Sequence, residues 1–283
     1  MSLDLASKTF VITGANTGIG KVTALELARR GAHVILACRS AEKTEPVIAE
    51  LKRATDNPHV ELALLDLADL ASVRTCAEAL LARDLPIHGL VNNAGLAGAR
   101  GLTKDGFELA FGTNHLGHYL FTRLLLDRLA RSAPARIVNV SSNSHYMARR
   151  IDWDALRQPT KTTTGLREYE VSKLANVLFT QELARRDAGR GVTTYAVNPG
   201  RVATDVWRRI PAPVRWLLKK AMITPEQGAV SSLRCATDPV LAAESGRYYT
   251  ADGREKRPSR LTNDPALAVE MWNRSAAWTG LPA

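Results

Sequence analysis

Tyr169 and Lys173 stand four residues apart, a spacing that puts both side chains on one face of a helix. A phenol ordinarily titrates near 10. A nearby ammonium favours its ionised form. A phenol drawn toward neutrality is an effective general acid and base. On its own the pair also fits an ordinary helix face. A second cluster reads Thr13-Gly14-Ala15-Asn16-Thr17-Gly18-Ile19-Gly20. Glycine admits positive φ and lets backbone approach a ligand closely. A helix that starts there offers free N–H groups and a positive dipole end to a phosphate. The cluster follows an apolar stretch and precedes a helical one, the context that nucleotide binding requires. Its spacing is G-x-x-x-G-x-G rather than G-x-G-x-x-G.

These residues need elements to hold them, and the chain alternates between strand and helix patterns. KTFVIT (8–13), HVILAC (33–38), VELALLD (60–66), IHGLVN (87–92), ARIVNVSS (135–142), VTTYAVN (192–198) and RYYT (247–250) read as strands. Helical periodicity fills the gaps, as from Phe107 to Leu129 and from Glu170 to Arg186. The first helix runs to Arg30, where Gly31 is its stop signal. Continuous apolar strands separated by helices imply a parallel sheet covered on both faces. With right-handed crossovers this is a doubly wound, Rossmann-type α/β fold of about seven strands. No linker divides the 283 residues, so one domain is expected over 1–283. Segments 143–165 and 205–224 break the alternation.

Five motifs in chain order now carry a resemblance. They are TGANTGIG, Asp66 after the third strand, Asn92-Asn93-Ala94-Gly95 after the fourth, Tyr169-x-x-x-Lys173, and Asn198-Pro199-Gly200 after the sixth. Together they resemble the short-chain dehydrogenase/reductase family over nearly the whole chain. The resemblance implies that Gly14, Gly18 and Gly20, with Asn16, Thr17 and Ile19, cradle a pyrophosphate. It implies that Asp66 bonds the adenine amino group beside Leu67. Asn92, Ala94 and Gly95 would line the adenosine and ribose side. Pro199, Gly200, Val202 and Thr204 would meet the nicotinamide end, Thr204 at the carboxamide. Tyr169 and Lys173 would touch cofactor as well as drive catalysis. Ser142, rather than Ser141, would bond the substrate carbonyl oxygen. Asn114 would hold a water linking Lys173 to solvent. The reaction implied is reversible hydride transfer, with Tyr169 exchanging a proton with the oxygen and Ser142 stabilising its charge.

The end of the second strand selects the cofactor. An acidic residue there would bond the ribose 2′-OH and repel a 2′-phosphate. The chain reads Ala37-Cys38-Arg39-Ser40 instead. Arg39 can offer a bidentate fork to phosphate, with Ser40 beside it, so NADP(H) is favoured over NAD(H). The gap from Ser142 to Tyr169 is longer than is common in the family, and 143–165 is expected to loop out. Tyr146 is expected to be pocket wall or structure. His115 and His118 read as a packed or exposed pair without a metal.

LACRS, FGTNHLGHYLFT, RIVNVSS, SKLANVLFTQELARR and VTTYAVNPG are together similar to the retinol dehydrogenase-like branch of the family. That branch implies hydrophobic aldehyde or ketone substrates such as retinal, mostly with NADP(H). The same chemistry on steroid, quinone or polyketide-like ketones, and a non-catalytic NADP(H)-binding sensor or scaffold, are the alternatives. Many members of the branch begin with a membrane helix. None is read here, and no signal peptide or run of eighteen apolar residues is found, so a cytoplasmic enzyme is expected. Cys38, Cys76 and Cys235 lie far apart without a C-x-x-C pair, which excludes a disulfide framework and fits a reducing compartment.

The net charge of +10 first invites a nucleic-acid reading, but no recognition helix, zinc or RNA-binding motif accompanies it. Residues 205–222 hold five basic side chains and one acidic one. Pro213 can open a helix there, with Val214, Leu217, Leu218, Ala221 and Met222 in an apolar stripe. The resemblance makes 205–224 a substrate lid. Its basic face, with Trp207 and Trp216, has two readings: solvated surface, or weak contact with an anionic membrane. The family's habit of pairing through the helices of Asn114 and Tyr169 leaves a homo-oligomer open.

Overall fold

The computed structural model describes residues 3–200, 202 and 223–283. Its strands are β1 (Thr9–Thr13), β2 (His33–Cys38), β3 (Val60–Leu64), β4 (Gly89–Asn92), β5 (Ala135–Val140), β6 (Val192–Val197) and β7 (Arg247–Tyr249). Its main helices are α1 (Gly18–Arg29), α2 (Ala41–Thr55), α3 (Leu70–Leu81), α4 (Gly117–Arg131), α5 (Leu166–Arg186), α6 (Pro225–Thr237) and α7 (Pro265–Thr279). The sheet order is β3-β2-β1-β4-β5-β6-β7, and every pairing is parallel. This is the doubly wound Rossmann-type fold expected.

Alternation along each strand sorts side chains between the two faces. Val11, Ile35, Leu90 and Ile137 enter a core with residues of α3, α4 and α7. Their neighbours Ile12, Leu36, Val91 and Val138 enter a second core with Ala24 and Leu27 of α1 and Cys235 of α6. The chain order reverses between β1 and β4, so a crevice opens beyond their carboxyl ends. Gly14 leaves one strand at that point and Asn93 leaves the other.

Several boundaries differ from the sequence reading. β3 stops at Leu64 and β5 at Val140; Ser141 N still donates to the Val197 carbonyl (2.7 Å), and Asp66 and Ser142 lie beyond the ladder. The helix expected from Phe107 to Leu129 is interrupted: a short turn at Leu109–Phe111 leads to a π-helical turn at Gly112–Leu116, which precedes α4. π-Turns of this kind cluster at functional positions, and Asn114 stands inside this one. Helix α5 starts at Leu166, four residues earlier than expected, with Gly165 at φ +64° as its N-cap.

Segment 143–165 is packed rather than looped free. Leu156 joins a core of Phe107, Phe111, Leu174 and Leu178, with Trp153 and Trp278 against it. The Glu108 carboxylate is buried there and accepts from Phe111 N (2.8 Å) and from the Thr160 hydroxyl (2.5 Å). Helix α7 lies across α5 and the start of α4, with Trp272 against Tyr119 and Phe179 and with Ser275 bonded to His115 (3.0 Å). The helices through which the family often pairs therefore carry a helix of their own chain. Among the described residues, no helix is long and apolar enough to cross a membrane.

Candidate active site

The glycine cluster packs directly on the turn after β4. Gly14 has φ +64°, and a Cβ added there would lie 2.9 Å from Ala94 Cα. A Cβ on Gly20 would lie 2.5 Å from Asn93 Nδ2 and 2.7 Å from the Gly14 carbonyl oxygen. Side chains are excluded at both positions, and bare backbone faces the crevice. Gly18 opens α1 at φ +55°, with exposed Thr17 at the N-cap and half-buried Asn16 and Ile19 on either side. The first turn of α1 holds no acidic side chain, so nothing of its own neutralises the positive end. This cradle suits the phosphates of a dinucleotide.

The walls follow from the strand ends. Arg39 is exposed after β2. Ser40 N-caps α2, its hydroxyl accepting from Lys43 N (3.4 Å). Asp66 accepts from Ala68 N (3.0 Å), which fixes the carboxylate after β3. Leu67 is buried in the core, so only its backbone can meet a ligand. Pro199 is buried, and Gly200 has φ +86°. Val202 is buried and bridges Ile223. Thr204 and segment 205–222 lie outside the described residues.

Asn92 requires a correction. Its side chain is buried and donates to Thr122 Oγ1 (2.8 Å) and Asn139 Oδ1 (2.8 Å), beneath the crevice rather than along it. The physical reason is strand alternation: Asn92 points to the same face as Leu90, toward α4. Asn93 does the work at the surface. Its side chain donates to the Thr13 carbonyl (2.9 Å), and its N–H and that of Ala94 both donate to Thr13 Oγ1 (2.9 Å each). Thr13, Asn93 and Asn198 lie within the motifs, and their roles come from contacts that spacing does not reveal. Asn198 Oδ1 accepts from Gly200 N and Asn143 N (3.2 Å each), tying the two walls together.

Four further residues converge beside Gly95. A Cβ on Gly95 would lie 3.4 Å from both Lys173 Nζ and Asn114 Oδ1. Lys173 donates to the Val140 carbonyl (2.9 Å), and its Nζ lies 5.6 Å from the centre of the Tyr169 ring. The Ser142 side chain stands at the Tyr169 phenol. Ser141 is buried and spends its hydroxyl on the Lys173 carbonyl (2.8 Å), so of the two serines only Ser142 reaches the phenol. Ser142 Oγ also accepts from Ser144 N (3.1 Å), which fixes its rotamer. Asn114 is fully buried, with Oδ1 accepting from Leu96 N (2.9 Å) and Nδ2 donating to Leu96 O and Ser172 Oγ (3.0 Å each). Both amide hydrogens are thus committed to protein, while Oδ1 keeps a second lone pair on the Lys173 side of Gly95.

The electrostatics differ from a simple ion-pair picture. Burial raises the Tyr169 phenol above its ordinary value, and the Ser142 hydrogen bond pulls the other way. Burial lowers the Lys173 ammonium to about 8. The folded chain therefore binds fewer protons than the unfolded chain between about 8 and the ordinary 10.5. Stability contributed by this residue rises with pH across that window. Without cofactor, wild type should gain on Lys173→Met by up to about 3 kcal/mol there, read from urea midpoints. A flat difference contradicts the burial of the charge.

Tyr146 is structural, its hydroxyl donating to the Arg257 carbonyl (2.6 Å). His115 and His118 are both buried, and among the described residues no cluster of His, Cys, Asp or Glu could hold a metal.

Comparison with known proteins agrees with this geometry. The family model described as short chain dehydrogenase matches residues 8–152. The chain is 45% identical over 284 residues to retinol dehydrogenase 11 of Homo sapiens, covering 99% of this chain and 88% of the relative. A solved structure of an uncharacterized protein from Mycobacterium Paratuberculosis superposes with TM-score 0.79 at 35% identity, covering 100% of this chain and 99% of the other. A structure from Beutenbergia cavernae, described as an NAD(P) dependent gluconate 5-dehydrogenase with bound NADP, superposes with TM-score 0.73 at 27% identity, covering 89% and 98%. The chain belongs to the short-chain dehydrogenase/reductase family, in its retinol dehydrogenase-like branch, and is an NAD(P)-dependent oxidoreductase acting on alcohol and carbonyl groups.

Proposed function

We propose that this single-domain enzyme reduces apolar aldehydes or ketones, retinal among them, with NADPH as its preferred hydride donor and Tyr169 as its acid and base. The observation that carries the reading is the convergence of Ser142, Tyr169, Lys173 and Asn114 beside the bare backbone of Gly95. The glycine cradle fits a dinucleotide, because Gly14 and Gly20 exclude any Cβ and no acidic side chain stands in the first turn of α1. When bound, the nicotinamide supplies the hydride and, once oxidised, a positive charge near the phenol. Arg39 offers its guanidinium to a 2′-phosphate. Ser142 donates to the substrate oxygen and holds its carbon toward the crevice. Tyr169 gives its proton to that oxygen as negative charge develops there. Lys173 keeps an ammonium beside the phenol and favours the ionised form it leaves behind.

Apolar substrates are supported by two exposed side chains. Leu166, 39% exposed, lies one helical turn before Tyr169, and Met147, 65% exposed, ends the turn that begins at Ser142. The similarity to retinol dehydrogenases supports the same reading. The test is an NADPH-oxidation screen over retinal, long-chain aldehydes, steroids and quinones. Retinal and long-chain aldehydes should give the highest kcat/KM. Turnover confined to steroids or quinones would move the substrate class. NADPH binding without any turnover would favour a sensor and overturn the reading.

A further inference from the structure

His118 is buried in α4, and its two ring nitrogens meet two different parts of the site. Nδ1 lies 2.9 Å from the backbone carbonyl oxygen of Asn114, one turn earlier. Nε2 lies 2.8 Å from Thr13 Oγ1, at the end of β1. A carbonyl can only accept, so Nδ1 carries the proton. Burial lowers the imidazole to about 4, so the ring is neutral near pH 7, and Nε2 is then a bare acceptor. The Thr13 hydroxyl supplies its one hydrogen to Nε2. Its two lone pairs accept the N–H groups of Asn93 and Ala94. Every donor and acceptor at this junction is used, and each use fixes the next. The alternative acceptor for Thr13, the Val91 carbonyl, is more distant at 3.5 Å.

We propose that His118 is a positioning residue that ties the dinucleotide cradle to the proton-transfer end of the site. Through Thr13 it sets the Asn93–Gly95 turn, against which Gly14 and Gly20 pack. Through the Asn114 carbonyl it holds the π-helical turn, whose Asn114 side chain bonds Leu96 and Ser172, next to Lys173. The ring joins two elements with no other direct link between Thr13 and Asn114 among the described bonds. A buried donor or acceptor left without a partner is costly. Removal of the ring nitrogens should therefore loosen both ends, and each nitrogen should govern its own end.

This inference rests on the functional reading above, and three variants with three measurements separate the two. His118→Phe keeps the ring and removes both hydrogen bonds. His118→Asn puts an amide N–H near Nδ1 and leaves Thr13 without its acceptor. His118→Gln reaches the place of Nε2 with its amide oxygen and gives up the Asn114 carbonyl. The measurements are NADPH Kd by fluorescence titration, kcat with retinal at saturating NADPH, and Tm without nucleotide. His118→Phe should weaken NADPH binding and lower kcat, each by about tenfold, the size of one lost buried hydrogen bond. His118→Asn should lose mainly NADPH affinity, and His118→Gln mainly kcat. A phenylalanine variant with both constants unchanged overturns the proposal. So does an equal loss of both constants in all three variants in step with Tm, which describes a packing residue only. Wild type that binds NADPH but reduces no carbonyl overturns the functional reading instead, and the Kd measurements then decide His118 alone.

Discussion

Tyr169→Phe should lose about a thousandfold in kcat for carbonyl reduction while keeping NADPH affinity within about threefold. The two halves of this result have different origins. The substitution deletes one oxygen, and that oxygen is the one whose ionisation the Ser142 side chain favours. Proton transfer to the reacting oxygen then falls to water, and positioned acid catalysis commonly contributes about 10²–10⁴-fold. Ser142 remains to stabilise developing charge, so the loss should not extend to the whole rate enhancement. NADPH affinity survives because the cradle at Gly14, Gly18 and Gly20 is made of backbone, which the substitution leaves in place. Stability should change by about 1 kcal/mol or less, since the half-buried Tyr169 loses only its hydroxyl. Stopped-flow turnover with a parallel fluorescence titration checks both halves. A kcat within tenfold of wild type would remove Tyr169 from the chemistry.

Arg39→Asp should reverse the cofactor preference. Wild type should favour NADPH over NADH by about tenfold or more in kcat/KM, because a guanidinium pairs with phosphate through two charge-assisted bonds. Such a bond is worth about 1.5–3 kcal/mol, or about tenfold to a hundredfold. The substitution removes that attraction and puts a carboxylate where the 2′-phosphate would lie. The same carboxylate can accept from a ribose 2′-OH, so NADH should improve as NADPH worsens. The NADPH/NADH ratio is expected to fall by about a hundredfold, below unity. Arg39 is exposed at the end of β2, and Ser40 rather than Arg39 caps α2, so the fold should tolerate the change. Equal use of both cofactors by wild type would contradict the role given to Arg39.

The fold was legible because its signals are local. Apolar runs marked the strands from β1 to β6, an aromatic pair marked β7, and Gly31 marked the end of α1 through its φ of +84°. Strand ends were read too long at Asp66 and at Ser142, since the pattern runs on past the last inter-strand bonds, made by Leu65 N and Ser141 N. The π-turn at Gly112–Leu116 was invisible, because one extra residue in a turn hardly changes the spacing of apolar positions. The start of α5 was hidden by the polar stretch before Tyr169, where Gly165 and the Glu168 carboxylate fix the entry. In the candidate site, the Tyr169, Lys173 and Ser142 positions were readable as a set. Asn92 was misassigned although period-two alternation with Leu90 places it beneath the crevice. The roles of Asn93 and His118 were hidden because their partner, Thr13, is about 80 and 105 residues away in the chain.

The most direct test of hydride transfer to an apolar carbonyl under Tyr169 control uses NADPH deuterated at the transferable position of the nicotinamide. Retinal is incubated with the enzyme and this cofactor, and the alcohol product is analysed by mass spectrometry. The account expects one deuterium at the carbinol carbon for each NADPH consumed, with the label all but lost in Tyr169→Phe. NADPH consumption without label in the alcohol, or labelled alcohol formed equally well by the variant, would contradict it.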